Sequence, residues 1–285
     1  MEIWQFFVIF AIGVIAGFIN TLAGGGSLLT LPMLIFMGLP ATVANGTNRL
    51  AITVQSIFAV AGFRRKGISN FKLSLLLSAP ALVGAVIGAQ LSLSVSDTLF
   101  QRILAVIMLL VLGLILWDPV RRRRSSVQDN RDTTQLLCGN FKGGERRSSP
   151  LQIDTFCHSG RNEESHFSWN RRIAIIISLF FVGIYGGFIQ AGIGFIVIAV
   201  LTMLGRLNLV ETNSHKVFII GINALFALFV FAYHSKISWP IGMALAAGNG
   251  LGGWLGSHLA VSKGERFIRV ILAVCVIAMA VKLLV

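Results

Sequence analysis

Two glycine-rich breaks interrupt long apolar stretches, and they fall at corresponding places in the two halves of the chain. The first break is the run of glycine at 24–26 followed by Ser27, and the second contains Gly192 and Gly194. Glycine leaves its backbone N–H group uncovered, and the first turn of a helix carries a partial positive charge. A short helix that starts at such a break is therefore suited to bind an anion.

The apolar runs that follow the breaks, 28–38 and 195–204, are too short to cross a bilayer as helices. We predict that each is half of a discontinuous or re-entrant helix and that the two breaks face each other. The first short helix should begin between Ser27 and Leu31, because Pro32 is tolerated only in an early turn. A kink that only shapes the helix bundle is the alternative.

Two cations, Arg49 and Lys216, lie at equivalent positions in the two halves. If Arg64 marks one membrane interface, the helix from Arg49 to Phe63 is about 21 Å long, shorter than the hydrocarbon core. A cation at that depth is costly and faces a cavity or a partner, unless its head group extends to the interface. The carboxylates outside the polar centre offer little pairing, because all lie near the ends of apolar runs: Glu2, Asp97, Asp118, Glu211 and Glu265.

We predict an anion site built from both breaks, the neutral donors beside them and the polar segments that carry the cations. Its residues are Asn20, Gly24, Gly25, Gly26, Ser27, Asn45, Thr47, Asn48, Arg49, Gln190, Gly192, Gly194, Asn213, Ser214, His215 and Lys216. The cysteines and histidines of the polar centre match no zinc-ligand spacing, so neither a metal nor a cofactor is predicted. Because no buried carboxylate is evident, ion coupling would fall to His215, His234 or His258, or to the membrane potential.

Composition indicates the environment that these segments occupy. Hydrophobic residues make up 55% of the 285 residues, only 12% are charged, and the mean hydropathy is +0.81. A soluble domain carries about twice that charged fraction, so we predict an integral membrane protein whose partner is the lipid bilayer. The net charge of +13 comes mainly from run ends and the polar centre, which is typical of membrane topology signals and not of nucleic-acid binding.

The order of apolar runs and polar segments in residues 1–120 recurs in residues 172–285, and a polar basic linker at 121–171 joins them. We predict an all-α integral membrane protein with two tandem repeats of about four transmembrane helices, each with an interrupted segment. Rows of glycine spaced by four residues also recur, and they predict close helix contacts. These rows are Gly13 with Gly17, Gly183 with Gly187, Gly84 with Gly88, and Gly252 with Gly256.

Lysine and arginine orient the repeats in the membrane. Positive residues stand at the ends of apolar runs at Arg64, 121–124, 171–172 and Lys236. If each repeat crosses four times and the N-terminus is inside, all of these residues lie in the cytoplasm, as does the linker. We predict a multi-pass protein of the cell inner (plasma) membrane. Its first apolar run is a retained helix and not a signal peptide, because Glu2 precedes the run where a signal peptide has Lys or Arg.

Four segments of the chain, at 17–32, 44–49, 186–195 and 212–216, resemble the TauE/SafE family of membrane permeases, also called the sulfite exporter or TSUP family. The resemblance covers nearly everything except the linker. It implies transport of small anions, often sulfur-containing, such as sulfite, thiosulfate or sulfonates. The family-like positions that it marks are Gly24, Gly25, Gly26, Asn45, Thr47, Gly192, Gly194 and Ser214.

The predicted function is a permease that moves a small anionic solute by alternating access at a site between the two repeats. A passive anion channel would use the same residues and stays open as an alternative. A membrane-embedded enzyme is not expected, because Ser27 lies in no Gly-x-Ser-Gly elbow and no apolar run carries clustered histidines and carboxylates. The sequence leaves the oligomeric state open.

Overall fold

The computed structural model describes residues 3–22, 24–65, 71–117, 169–205 and 209–259. All regular structure in these ranges is helical, which confirms the predicted all-α class. The helices are α1 Ile3–Leu22, α2 Ser27–Phe36, α3 Ala41–Arg65, α4 Phe71–Leu93, α5 Asp97–Trp117, α6 Trp169–Phe188, α7 Ile193–Met203, α8 Leu209–Tyr233 and α9 Trp239–Leu259. Most of the predicted linker and the last apolar run lie outside the described residues, and the division into repeats 1–120 and 172–285 stays a prediction.

Large apolar side chains face outward along the helices, while polar and charged side chains are buried between them. Phe7, Leu76 and Phe181 are 70%, 71% and 62% exposed, whereas Arg49 and Lys216 are fully buried. This distribution is the reverse of that in a soluble protein and suits a hydrocarbon surrounding. Among the described helices, α1, α4 and α8 are long and apolar enough to span a membrane. The chain is therefore a multi-pass membrane protein.

The first break turns α1 and α2 into a re-entrant hairpin. Gly24 reverses the chain in a left-handed conformation with φ of 87°, and α2 begins within the predicted range. A Cβ on Gly26 would collide with the carbonyl of Ala16, so the start of α2 lies directly on α1. Beyond the end of α2, Met37 lines a groove together with Trp4 from the start of α1. The short helix thus returns to the side from which α1 enters.

The second break builds a corresponding hairpin from α6 and α7. Gly192 is also left-handed, with φ of 72°, and is the N-cap residue of α7. The side chain of Ile193 touches Gly186 in the last turn of α6, and the hydroxyl of Tyr185 donates to the carbonyl of Ala191. These contacts hold the start of α7 against α6.

The closest helix contacts join one half to the other. Helix α1 packs parallel to α9, with Gly13 against the carbonyl of Leu245 at one end and Gly256 against Thr21 at the other. Helix α4 packs against α6 in the same way. The glycines at that contact are Gly84, Gly88, Gly183 and Gly187. The predicted close contacts are confirmed, and they bring backbones together as lipid-embedded helices require.

Helix α3 runs antiparallel to α8, its counterpart in the second half. Gly46, near the start of α3, lies against the carbonyl of Lys236, just beyond the end of α8. At the opposite end, Phe63 of α3 packs with Val217, near the start of α8. The two halves are therefore inverted relative to each other. The reason is that each re-entrant hairpin returns the chain to its side of entry, which leaves three crossings, α3 to α5, in the first half.

This inversion corrects the predicted topology. Lys236 lies at the end of α3 opposite to Arg64 and Arg65, so the prediction that these residues share the cytoplasmic side is wrong. Helices α1, α9 and α3 run parallel, which puts the start of α1 on the Lys236 side. Since positive residues favour the cytoplasm at Arg64 and Arg65, we expect the start of α1 outside, opposite to its predicted placement.

Cysteine labelling tests the inverted arrangement. In a background without the three native cysteines, Lys236→Cys and Arg65→Cys each place one thiol at an exposed position. A membrane-impermeant maleimide should label Lys236→Cys in intact cells and Arg65→Cys only in inside-out vesicles, because the two ends of α3 face opposite sides. Labelling of both thiols from the same side would contradict the inversion.

Candidate functional site

The tips of the two hairpins meet inside the helix bundle. The backbones of Gly24 and Gly194 are in direct contact, so a Cβ on either glycine would overlap the Cα of the other. The break residues 24–27 and 189–194 are all buried. Glycine is required at this contact because any side chain would separate the tips. The fold thus joins two breaks that lie far apart in the sequence.

Arg49 holds the C-terminal end of α6. Its guanidinium donates to the carbonyls of Gly186 and Gly187, the second at 2.7 Å, and to Oδ1 of Asn45 at 3.1 Å. Asn45 in turn donates from Nδ2 to the carbonyl of Phe188 at 2.8 Å. The last carbonyls of α6, which lose their amide partners where the helix stops, are thus bonded by α3. Arg49 is 0% exposed, so its head group does not extend to the interface.

Lys216 makes the corresponding contact with α1. Its Nζ donates to the carbonyl of Thr21 at 2.9 Å and to Oδ1 of Asn213 at 2.9 Å. Thr21 lies in the last turn of α1, and Lys216 is fully buried. Each half therefore supplies the cation that caps the hairpin helix of the other half. We call these two contacts, Arg49 on α6 and Lys216 on α1, the crossed caps.

The crossed caps leave a positive field at the hairpin tips. The carbonyl end of a helix carries a partial negative charge, and each cap places a full positive charge against it. The starts of α2 and α7 receive no matching compensation. Neither helix has an acidic residue in its first turn, and neither N-cap residue, Gly26 or Gly192, has a side-chain cap. Two buried cations and two uncapped helix starts are an arrangement suited to an anion.

The uncapped helix starts present backbone amides that the helices themselves cannot satisfy. The first turn of α2 closes with the amide of Leu28 bonded to the carbonyl of Gly25 at 3.0 Å. In α7 the amide of Phe195 bonds to the carbonyl of Gly192 at 3.1 Å. The amides of the helix residues before Leu28 in α2 and before Phe195 in α7 have no carbonyl partner within the helix. They need a partner from outside it.

Polar side chains tie the first hairpin to α3. Asn20 donates from Nδ2 to Oε1 of Gln55 at 3.0 Å, and Gln55 donates to Oγ1 of Thr21 at 3.3 Å. Thr30, in the first turn of α2, donates to Oδ1 of Asn48 at 2.7 Å. Asn20 and Asn48 are predicted site residues, but Gln55, Thr21 and Thr30 are not. Their signal is a single polar residue inside an apolar run, which is costly to bury unless it is bonded.

Two further predicted site residues are bonded to residues outside their own helices, whereas Gln190 at the second break is not. Nδ1 of His215 and Oγ of Ser74 form a hydrogen bond of 2.7 Å. Between the halves, Oγ1 of Thr47 accepts a bond from the amide of Ser238 at 3.0 Å. In contrast, Gln190 is 0% exposed, and neither atom of its side-chain amide has a hydrogen-bond partner.

The predicted site residues lie at the two breaks, in the last turn of α1 and in the first three turns of α3 and α8. Ser27 begins α2, and Ser214 is buried on α8 close to Lys216 in the sequence. His234 and His258 have a different setting, since each bonds to a carbonyl of its own helix, at 2.9 and 3.0 Å. The assignment of the predicted residues to a substrate stays a prediction.

Comparison with known proteins identifies the family. A family model described as Sulfite exporter TauE/SafE matches residues 9–283, which include both hairpins and both crossed caps. The chain belongs to this family. The resemblance drawn from the sequence is thereby confirmed over nearly the whole chain.

Relatives of this TauE/SafE protein carry names of the same kind. A probable membrane transporter protein of Haemophilus influenzae is 28% identical and covers 97% of this chain and 93% of the relative. The probable membrane transporter protein ORF9 of a Sinorhizobium species is 25% identical and covers 97% of this chain and 91% of the relative. The probable membrane transporter protein YfcA of Escherichia coli K12 is 27% identical and covers 97% of this chain and 88% of the relative. No solved structure matches the chain with significance.

The crossed caps of this TauE/SafE protein should contribute strongly to its stability. Arg49→Met leaves the carbonyls of Gly186 and Gly187 without a charged donor, and a buried bond of that kind contributes about 1.5–3 kcal/mol. We expect a lower melting temperature for Arg49→Met and for Lys216→Met in detergent. Arg49→Lys keeps the charge but loses the forked geometry, so its melting temperature should lie in between.

A matched control separates the caps from a general effect of losing a cation. Arg102 is an exposed arginine on α5, and Arg102→Met should leave the melting temperature nearly unchanged. If Arg49→Met is as stable as Arg102→Met, Arg49 does not hold the end of α6.

Proposed function

We propose that this protein is a carrier for small anions, in particular sulfur-containing oxyanions such as sulfite, thiosulfate or sulfonates. The site lies between the two hairpin tips, and access alternates between the two sides of the membrane. The observation that supports this proposal best is the pair of crossed caps. They place positive charge at the tips while the starts of α2 and α7 stay uncapped.

The charge balance around the tips supports an anion over a cation. Within the described residues, the carboxylates are Asp97 and Glu211, and each lies in the first turn of its helix, α5 or α8. Asp97 accepts a bond of 3.0 Å from the amide of Thr42, next to the start of α3. A cationic solute would meet the positive charges of Arg49 and Lys216, whereas an anion would meet two cations and two uncapped helix starts.

The inverted hairpins supply the means of alternating access. Each hairpin enters from its own side, and the two tips are held together by the backbone contact between Gly24 and Gly194. If one tip moves away from this contact, the space between the tips opens toward one side only. Inverted repeats that meet at a site inside the membrane are the usual basis of such exchange. A channel would need a continuous path through this contact, and for that reason we favour a carrier.

The proposed setting is the cell inner membrane, with the linker at 121–171 on the cytoplasmic side. This placement follows from the positive residues at Arg64 and Arg65. The family description names a sulfite exporter, and we extend that chemistry to this chain as part of the proposal. Transport, not catalysis, is the activity that the uncapped helix starts and buried cations suit best.

Flux measurements test the proposed function. Purified protein in proteoliposomes should take up labelled sulfite, thiosulfate or a sulfonate with saturable kinetics, and unlabelled anion on the opposite side should accelerate uptake. Currents that do not saturate would favour a channel. Absence of flux for all three anions under every gradient would remove the proposal.

Matched glycine variants connect the flux to the hairpin tips. In Gly194→Ala the added Cβ would overlap the backbone of Gly24, so flux should fall at least about tenfold if this contact governs access. Gly250→Ala is the control, because its Cβ would meet only the side chains of Phe58 and Val54, at 3.1 Å or more. Gly250→Ala should keep most of the flux, and equal losses in both variants would indicate a general packing effect.

A further inference from the structure

The two hairpin tips differ in one residue pair. Asn20 and Gln190 stand at equivalent positions in the two halves, each three residues after an equivalent glycine, Gly17 or Gly187. Asn20 is bonded to Gln55 at 3.0 Å. Gln190 is 0% exposed and has no partner for either Nε2 or Oε1. Among the described residues, it is the one whose side chain has two buried polar atoms without a partner.

The two halves also differ at the position that holds the partner of Asn20. Gln55 lies six residues after Arg49 on α3, and the residue six positions after Lys216 on α8 is Ile222. The apolar side chain of Ile222 can neither donate to nor accept from the Gln190 amide. Asn20 at the first tip is therefore bonded within the protein, whereas Gln190 at the second tip is not.

A further polar atom beside the second hairpin also lacks a partner. Oδ1 of Asn223 on α8 is buried without a bond, although its Nδ2 donates to the carbonyl of Gly183 on α6 at 3.3 Å. Burial of an amide without a partner is unfavourable. At a helix start without a cap, a ligand that supplies the missing bonds would offset this cost.

We propose that Gln190 forms hydrogen bonds with the substrate and that this substrate is an anion carrying its own hydrogen-bond donor. The inference rests on the proposed function and names the substrate class of the same site. The uncapped start of α7 receives the charged group. Nε2 of Gln190 donates to an oxygen of the ligand, and Oε1 accepts from a hydroxyl or amino group. Because both amide atoms are unpartnered, the inference does not depend on which way the amide is oriented.

The chemistry of the amide selects among small anions. A fully deprotonated oxyanion offers only acceptors, so it satisfies Nε2 but leaves Oε1 unbonded. A hydroxy- or amino-substituted sulfonate, or a singly protonated oxyanion, satisfies both atoms. Sites with buried hydrogen-bonding groups discriminate strongly against analogues that lack the matching group. Gln190 therefore acts as a specificity-determining residue, whereas Asn20 has a structural role.

Stability measurements without ligand separate these two roles. Gln190→Met replaces the amide with an apolar side chain of similar shape, and Asn20→Leu does the same at the first tip. Gln190→Met should keep or raise the melting temperature, since it removes two unsatisfied atoms, while Asn20→Leu should lower it by leaving Oε1 of Gln55 without its donor. If Gln190→Met lowers the melting temperature as much as Asn20→Leu, Gln190 has a structural partner and the inference is overturned.

Binding measurements then test the substrate class on the purified full-length protein. The probes are 2-hydroxyethanesulfonate and propane-1-sulfonate, which have the same charge and the same number of heavy atoms but differ in one hydroxyl group. Calorimetry should show at least about tenfold tighter binding of the hydroxyl compound. This preference should disappear in Gln190→Met and persist in the exposed control Arg102→Met.

The outcomes distinguish this inference from the function on which it rests. Equal binding of the two sulfonates, or no binding of either, overturns the role of Gln190. If sulfite or thiosulfate flux persists in that case, the anion carrier stands and only the substrate class is wrong. If proteoliposomes show no anion flux at all, the proposed function and this inference are both overturned.

Discussion

The structure depends on how a membrane protein satisfies a helix that stops inside hydrocarbon. A broken helix exposes carbonyl groups at one end and amide groups at the next start, and each costs several kcal/mol if it stays unpaired in lipid. Here the carbonyl ends are satisfied by Arg49 and Lys216. Each cation bonds to the helix end of the opposite half of the chain. Burial of two cations becomes tolerable because helix ends serve as their counter-charges. The same contacts interlock the halves.

The amide ends of the breaks have no comparable capping side chains, and the proposed transport function depends on this difference. Capping groups are absent from the starts of α2 and α7, so the protein neutralises one end of each break and leaves the other end available. Because the hairpins enter from opposite sides, the available ends converge at the contact of Gly24 and Gly194. The second tip also holds an unbonded Gln190. The uncapped helix starts and the unbonded Gln190 are the features on which the proposed anion site rests.

Packing in lipid explains why the two halves are interleaved. Apolar side chains gain nothing by leaving hydrocarbon for one another, so helix association relies on close backbone contact and on polar bonds. Glycine rows provide that contact between α1 and α9 and between α4 and α6. Each pair combines a helix of the first half with a helix of the second. The long helix of each hairpin is consequently held by a helix of the opposite half.

The sequence by itself determined what depends on local chemistry: the membrane class, the helical segments, the two breaks, the start of α2 and the equivalence of Arg49 with Lys216. Apolar run length, glycine and proline report these features directly. Only the tertiary structure decided the partners of those residues and the side on which each end lies. Arg49 bonds to carbonyls more than 130 residues away. Lys236 lies on the side opposite to Arg64 because a hairpin does not cross the membrane. Gln190 and Asn20 look alike in sequence, and only folding shows that one is bonded and the other is not. Such properties arise from contacts between distant segments, which local patterns do not encode.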